Sequence, residues 1–198
     1  LVIMLHGFGA NMQDLAGLAP AINADGYVYA CPNAPISFEL GPGQIGFGWM
    51  TPRGGGTAEE TPNSEKLLND FFDAVFKQFN VGPGQAVLLG FSQGGGMTYR
   101  CGLGRADHFA GLAALSATLP DQDELAARLP EGRGQSIFIG HGRFDQMVSD
   151  DSAQSAKSFL ESNGYSPEFH IYDMAHEISG EELADLVPWM TKVLPPKE

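Results

Sequence analysis

The chain is short of positive charge. Eleven Lys and Arg stand against 24 Asp and Glu, a net charge of −13 over 198 residues. Nucleic-acid binders need clustered basic side chains to displace phosphate counterions, and here those residues are scattered singly. No nucleic-acid partner is expected, and anionic membranes should be repelled. No run of ~18 apolar residues occurs, so neither a transmembrane helix nor stable membrane insertion is expected. Cysteine is scarce, with only Cys31 and Cys101. Two buried free thiols are the plain reading; one disulfide stays open, because sequence does not give their separation. A His-x-x-x-His helix and paired Cys-x-x-Cys motifs are missing, which leaves a metal site unsupported. So are a P-loop and a Gly-x-Gly-x-x-Gly after the first strand, and no cofactor is expected. The first residue, Leu1, falls inside an apparent strand. A preceding signal peptide is therefore not excluded, and a cytoplasmic location is the working expectation.

Glycine, by contrast, is abundant at 26 residues, and 43% of the chain is hydrophobic. That suits one globular domain, residues 1–198, with many tight turns. Residues 1–5 are continuously apolar and end at His6-Gly7, which reads as a buried parallel strand. A helix is predicted over 12–23 and a strand over 27–30. Residues 33–62 are rich in Pro and Gly and read as a long irregular flap, whose Phe38, Phe47 and Trp49 should pack over a site. Leu67, Leu68, Phe71, Phe72, Val75, Phe76 and Phe79 have helical spacing over 64–79. Strands follow at 86–89, 109–115, 137–139 and 169–172, with helices after residue 92 and over 121–129 and 151–163. Ser179 with Glu182 matches a capping box that opens a last helix to about Val193. Strands alternating with helices mean an α/β chain: a mainly parallel central sheet with helices on both faces. Ligands bind such sheets beyond the carboxyl ends of the strands.

The sharpest motif is Gly90-Phe91-Ser92-Gln93-Gly94, a G-x-S-x-G between a predicted strand and a predicted helix. There the chain must turn sharply, exposing the Ser92 hydroxyl at a helix N-terminus, where developing negative charge is favoured. Serine needs a base to take its proton. Of five histidines, His176 alone sits just past a strand end and late in the chain. His6 reads as structural, His108 lies before a strand, His141 should stay buried near Asp145, and His170 is inside a strand. Asp145, on the loop after the strand ending at Gly140, is expected to hold the His176 imidazole in one tautomer. Its rivals fit less well: Asp150 and Asp151 suit a helix start, and Asp173 is too near His176 in sequence. The order Ser…Asp…His is that of α/β-hydrolases. Oxyanion donors are expected at the backbone N–H of Gln93 and of Phe8 in His6-Gly7-Phe8-Gly9.

These residues, with Cys31-Pro32-Asn33-Ala34-Pro35, Gly48-Trp49 and His141-Gly142 before Asp145 and Val148, resemble the phospholipase/carboxylesterase family, which includes the acyl-protein thioesterases. The resemblance implies an α/β-hydrolase fold without a large cap, the same triad, and the same oxyanion donors. It also implies a serine carboxylesterase acting on short- to medium-chain esters, with an acyl thioesterase or lysophospholipase as the alternative and a non-catalytic binding protein as the remote one. Ser149 stands where the family often has proline, and the segment after His176 resembles the bacterial esterase branch. Trp49, Phe47 and Met147 are expected to line the substrate pocket. The partner is then a small-molecule ester; flap apolar side chains would equally suit a homodimer.

Overall fold

The protein is described from a computed structural model covering residues 1–52 and 55–196. Six parallel strands form the central sheet: β1 (Val2–Leu5), β2 (Tyr29–Ala30), β5 (Ala86–Phe91), β6 (Phe109–Leu115), β7 (Ser136–Gly142) and β8 (Glu168–Tyr172), in the order β2-β1-β5-β6-β7-β8. Val2, Ile3, Met4 and Leu5 are all fully buried, which is why the strand reads as a continuous apolar run rather than an alternation. The period of two shows instead in which core each residue enters. Ile3, Leu5, Leu88, Leu112, Ala114, Ile137 and Ile139 face one layer with α3 (Glu60–Phe79), α4 (Gln93–Gly102), α5 (Gln122–Ala126) and α6 (Asp151–Ser162). Val2, Met4, Val87, Leu89, Ala113, Leu115 and Phe138 face the other, with α1 (Met12–Ala16), α2 (Ala19–Asn23) and α7 (Gly180–Val193).

The chain builds outward from β1 to β2, then returns to the opposite side of β1 to lay down β5. The switch in strand order thus falls between β1 and β5, and ligands bind doubly wound sheets in the crevice at such a point. Ser92 and the His6–Phe8 turn lie at the carboxyl ends of those two strands. Among the described residues, no helix is long and apolar enough to cross a membrane.

Three expectations need correction. The helix expected over 12–23 is two short helices, α1 and α2. The first is capped by Asn11, whose side chain accepts from Gln13 N–H; the second restarts with Pro20 in its first turn. The flap is not irregular: β3 (Ile36–Gly41) and β4 (Gln44–Gly48) form an antiparallel hairpin, turning at Gly43 with φ 74°. Glycine-rich strands carry a weak pattern, and that hid this pair. The third concerns α3, which begins at Glu60, inside the segment read as flap, and ends in a left-handed cap at Asn80. Arg53 and Gly54 of that segment lie outside the described residues.

Candidate active site

At the end of β5 the chain turns through Ser92 at φ 55°, ψ −118°, a conformation costly for a residue with a Cβ. Two contacts hold it there. Ser92 N–H donates to Leu115 O at 2.9 Å, extending the β5–β6 ladder by one residue, and Gly96 N–H donates to Ser92 O at 3.1 Å to start α4. The turn also requires glycine at residue 94, where a Cβ would fall 2.0 Å from Leu5 O. Helix α4 can therefore begin directly over the end of β1, with Ser92 at its positive end.

The β7–β8 pairing likewise runs past its strands. Arg143 N–H donates to Tyr172 O at 2.8 Å and Phe144 N–H to Met174 O at 3.0 Å. This ladder draws the loops carrying Asp145 and His176 together. His176 Nδ1 lies 2.6 Å from Asp145 Oδ2, and its Nε2 lies 3.0 Å from Ser92 Oγ. A carboxylate only accepts, so the ring donates at Nδ1 and leaves Nε2 free to accept from the hydroxyl. Asp145 Oδ1 accepts from Met147 N–H and Val148 N–H, each at 2.8 Å. Burial alone would raise this carboxyl, but the Val148 N–H, the His176 ring and the Met147 N–H outweigh it and hold it below the usual carboxylate range.

The other histidines are placed as structure. His6 is buried; its Nδ1 donates to Gly7 O at 2.7 Å and its Nε2 accepts from Ala34 N–H at 3.0 Å. Burial holds its pKa below the ordinary value. His141 is fully buried, with Nε2 2.9 Å from Val148 O and 3.5 Å from Asp145 Oδ2. Asp173 pairs with Arg143 on the surface, and Asp150 is the N-cap residue of α6.

The Gly7–Phe8 turn sits against the Ser92 side chain: a Cβ on Gly7 would lie 3.3 Å from Ser92 Cβ. The hairpin fixes this turn, since Gly9 N–H donates to Phe47 O at 2.8 Å and Phe47 N–H to Ala10 O at 2.9 Å. Phe47 thus acts here through its backbone, while its ring packs at the edge of the core. Trp49, expected in the pocket, is 2% exposed and belongs to the core. Its Nε1 donates to His6 O at 2.9 Å, and its backbone N–H donates to Gln93 Oε1 at 3.0 Å. It joins the hairpin, the turn after β1 and α4. Trp49→Ala should therefore cost stability, by about 3–5 kcal/mol, and slow short and long acyl esters alike; a thermal melt beside their kcat/KM ratio checks both.

Sequence reasoning missed two supports. The Gln93 side chain, besides accepting from Trp49, donates to Met50 O at 3.0 Å. The Cys31–Pro35 segment is a clip: Asn33 Oδ1 accepts from Met12 N–H at 2.7 Å, and Ala34 engages His6 as above. Cys31 and Cys101 are free, and burial pushes their thiols up to about 11 and about 12. Among the described residues no three His, Cys, Asp or Glu side chains gather as a metal set would.

A groove of about 580 Å³ opens beside Ser92. Met147, 75% exposed, and Val148 are among its lining residues. A strained serine at a strand–helix turn, hydrogen-bonded through a histidine to a carboxylate on this sheet, defines the α/β-hydrolase class. Residues 1–194 match the phospholipase/carboxylesterase family, and the chain belongs to it. It is 29% identical over 222 residues to acyl-protein thioesterase 1 of Mycosarcoma maydis, covering 98% of this chain and 91% of that one. It is 28% identical over 203 residues to a probable carboxylesterase of Oryza sativa subsp. japonica, covering 96% and 76%. The fold is shared with the crystal structure of esterase PE8, at TM-score 0.86 and 23% identity over 98% of this chain and 92% of that one. It is shared also with Arabidopsis thaliana SOBER1, at TM-score 0.83 and 23% identity over 97% of each. The chain is accordingly a serine hydrolase of the carboxylesterase and acyl-protein thioesterase type.

Proposed function

We propose that this protein is a carboxylesterase for short- to medium-chain esters, working through an acyl-enzyme on Ser92. The observation that carries the reading is the hydrogen-bonded chain Asp145–His176–Ser92, at 2.6 and 3.0 Å, beside an open groove. Ser92 Oγ attacks the ester carbonyl carbon, and its proton passes to His176 Nε2. The carbonyl oxygen becomes an oxyanion, received by the Gln93 and Phe8 N–H groups. As the bond to the alcohol oxygen breaks, His176 returns the proton to that oxygen. Water then gives a proton to His176 and its hydroxyl to the acyl carbon, and Ser92 Oγ leaves with the proton. Asp145 stabilises the imidazolium in both halves.

The names of the relatives favour thioesters as a second reading, and the same charge flow serves either leaving atom. The test is a series of p-nitrophenyl esters from acetate to palmitate with thioesters of matched acyl length, run beside labelling by an alkyl fluorophosphonate. The expected result is ester turnover together with a single label on the peptide holding Ser92. Turnover of thioesters alone would select the second reading. A label elsewhere would mean a different nucleophile.

A further inference from the structure

The groove has a direction. Ser92, Gly96 and Arg100 all line it, and at a spacing of four they share one face of α4. Its floor therefore runs about 12 Å along the helix from the nucleophile to Arg100. Met50 flanks it on the hairpin side and Leu119 on the side leading to α5. His176, which must protonate the departing alcohol, is not part of its lining, so the groove is left to the acyl portion of the ester.

At its far end, helices α3, α4 and the α5 region are tied across the groove by ion pairs. Arg100 Nε donates to Glu65 Oε2 at 2.8 Å and its Nη1 to Glu124 Oε2 at 3.0 Å, while Nη2 engages Glu124 Oε1. Arg128 pairs with the same two carboxylates from outside. The Arg100 side chain is only 10% exposed, against 40% for Arg128. All three Arg100 nitrogens are engaged by glutamates, so its charge is spent within the protein and is not on offer to a substrate anion. A methyl terminus pressed against this end would have to desolvate or break the partly buried ion pairs of Arg100, which is unfavourable.

Building on the esterase reading above, we infer that Arg100 is the end wall of the acyl groove and sets the longest unbranched acyl chain that the enzyme accepts. Replacing it by alanine opens the groove between α3 and α5. Glu65 and Glu124 are only partly buried and keep Arg128 as their partner, so neither is left as an unpaired charge.

The experiment compares wild type, Arg100→Ala and Arg128→Ala on p-nitrophenyl butyrate, octanoate and laurate. The wild-type kcat/KM should fall steeply between octanoate and laurate. In Arg100→Ala the laurate-to-butyrate ratio should rise by at least about tenfold, the scale on which added methylenes are discriminated in a closed apolar pocket. Arg128→Ala removes the outer arginine and keeps the wall, so its ratio should stay that of wild type. An unchanged ratio in folded Arg100→Ala overturns the inference, and so does an equal shift in Arg128→Ala, which would mean general loosening. Wild type favouring an ester with a terminal carboxylate over the plain ester overturns it too, by showing a cation on offer. Should Arg100→Ala fail to fold, Arg100→Gln should move the ratio in the same direction by less. A wild type that cleaves no ester and takes no fluorophosphonate overturns the esterase reading itself, a result distinct from an active enzyme whose ratio does not move.

Discussion

Combining Ser92→Ala with Asp145→Asn is expected to slow ester hydrolysis no further than Ser92→Ala alone, which should itself lose roughly 10⁶-fold in kcat. Groups that act as one unit do not add, because once the nucleophile is gone the base has no proton to take. Asp145→Asn alone should lose about 10⁴-fold, and the geometry says why. Oδ1 accepts from two backbone N–H groups, so an amide oxygen must take that place. The NH₂ then faces His176 Nδ1, where Oδ2 stood at 2.6 Å. The ring is forced to accept at Nδ1 and to carry its hydrogen on Nε2, the wrong tautomer to receive the Ser92 proton. Both backbone donors stay satisfied, so the melting temperature should fall only modestly, by the lost contribution of the carboxylate charge. Asp145→Ala, by contrast, strands them, at about 1–3 kcal/mol each. Kinetics and a thermal melt on these four variants separate lost chemistry from lost structure. Activity retained in Asp145→Asn would remove Asp145 as the orienting acid. The depressed carboxyl adds stability that is present above its ordinary value near 3.8 and is lost as pH falls through the lower folded value.

What the sequence made legible was what is local. The apolar run of β1 and the glycines around Ser92 each report a constraint that acts within a few residues. What stayed hidden depends on contacts between remote segments. Trp49 carries no mark of which way its ring points; only the pairing of Phe47 with Gly9 and Ala10 turns it inward onto His6. The hairpin looked irregular because Gly46 and Gly48 dilute the strand pattern. The groove draws on the hairpin's end, α4 and the loops after β6 and β7, so no single stretch of sequence announces it. Glu182 is the plainest misreading. Ser179 does its half of the capping box, accepting from Glu182 N–H at 3.1 Å, but the glutamate does not reach back. Its carboxyl turns into the core, fully buried, and neither oxygen finds a hydrogen-bond partner among the described residues.

That inward carboxyl should make the protein fail in base, and Glu182→Met should cure it. Burial pushes Glu182 up to about 8 from an ordinary 4.5, with no cation among the described residues to offset it. Between pH 4.5 and 8 the unfolded chain has released this proton while the folded one still holds it. The unfolded state then binds fewer protons, so stability falls as pH rises, and is fully present only below 4.5. The loss at pH 9 is on the order of 2–4 kcal/mol. For a chain of this size that is roughly a 5–15 °C fall in melting temperature. Methionine keeps the length and flexibility and removes the carboxyl, so wild type and variant should melt within a few degrees at pH 5, diverge as pH rises to about 8, and separate little further to pH 9. Parallel curves would acquit Glu182. The carboxyl presses on Gly140, where a Cβ would fall 2.0 Å from Glu182 Oε1. Since Gly140 lies on β7, the strand that delivers Asp145, a carboxylate moving to reach water must disturb the strand beneath the acid. A reversible loss of esterase activity as pH rises through about 8, where the folded carboxyl ionises, is therefore expected, and the same substitution should relieve it.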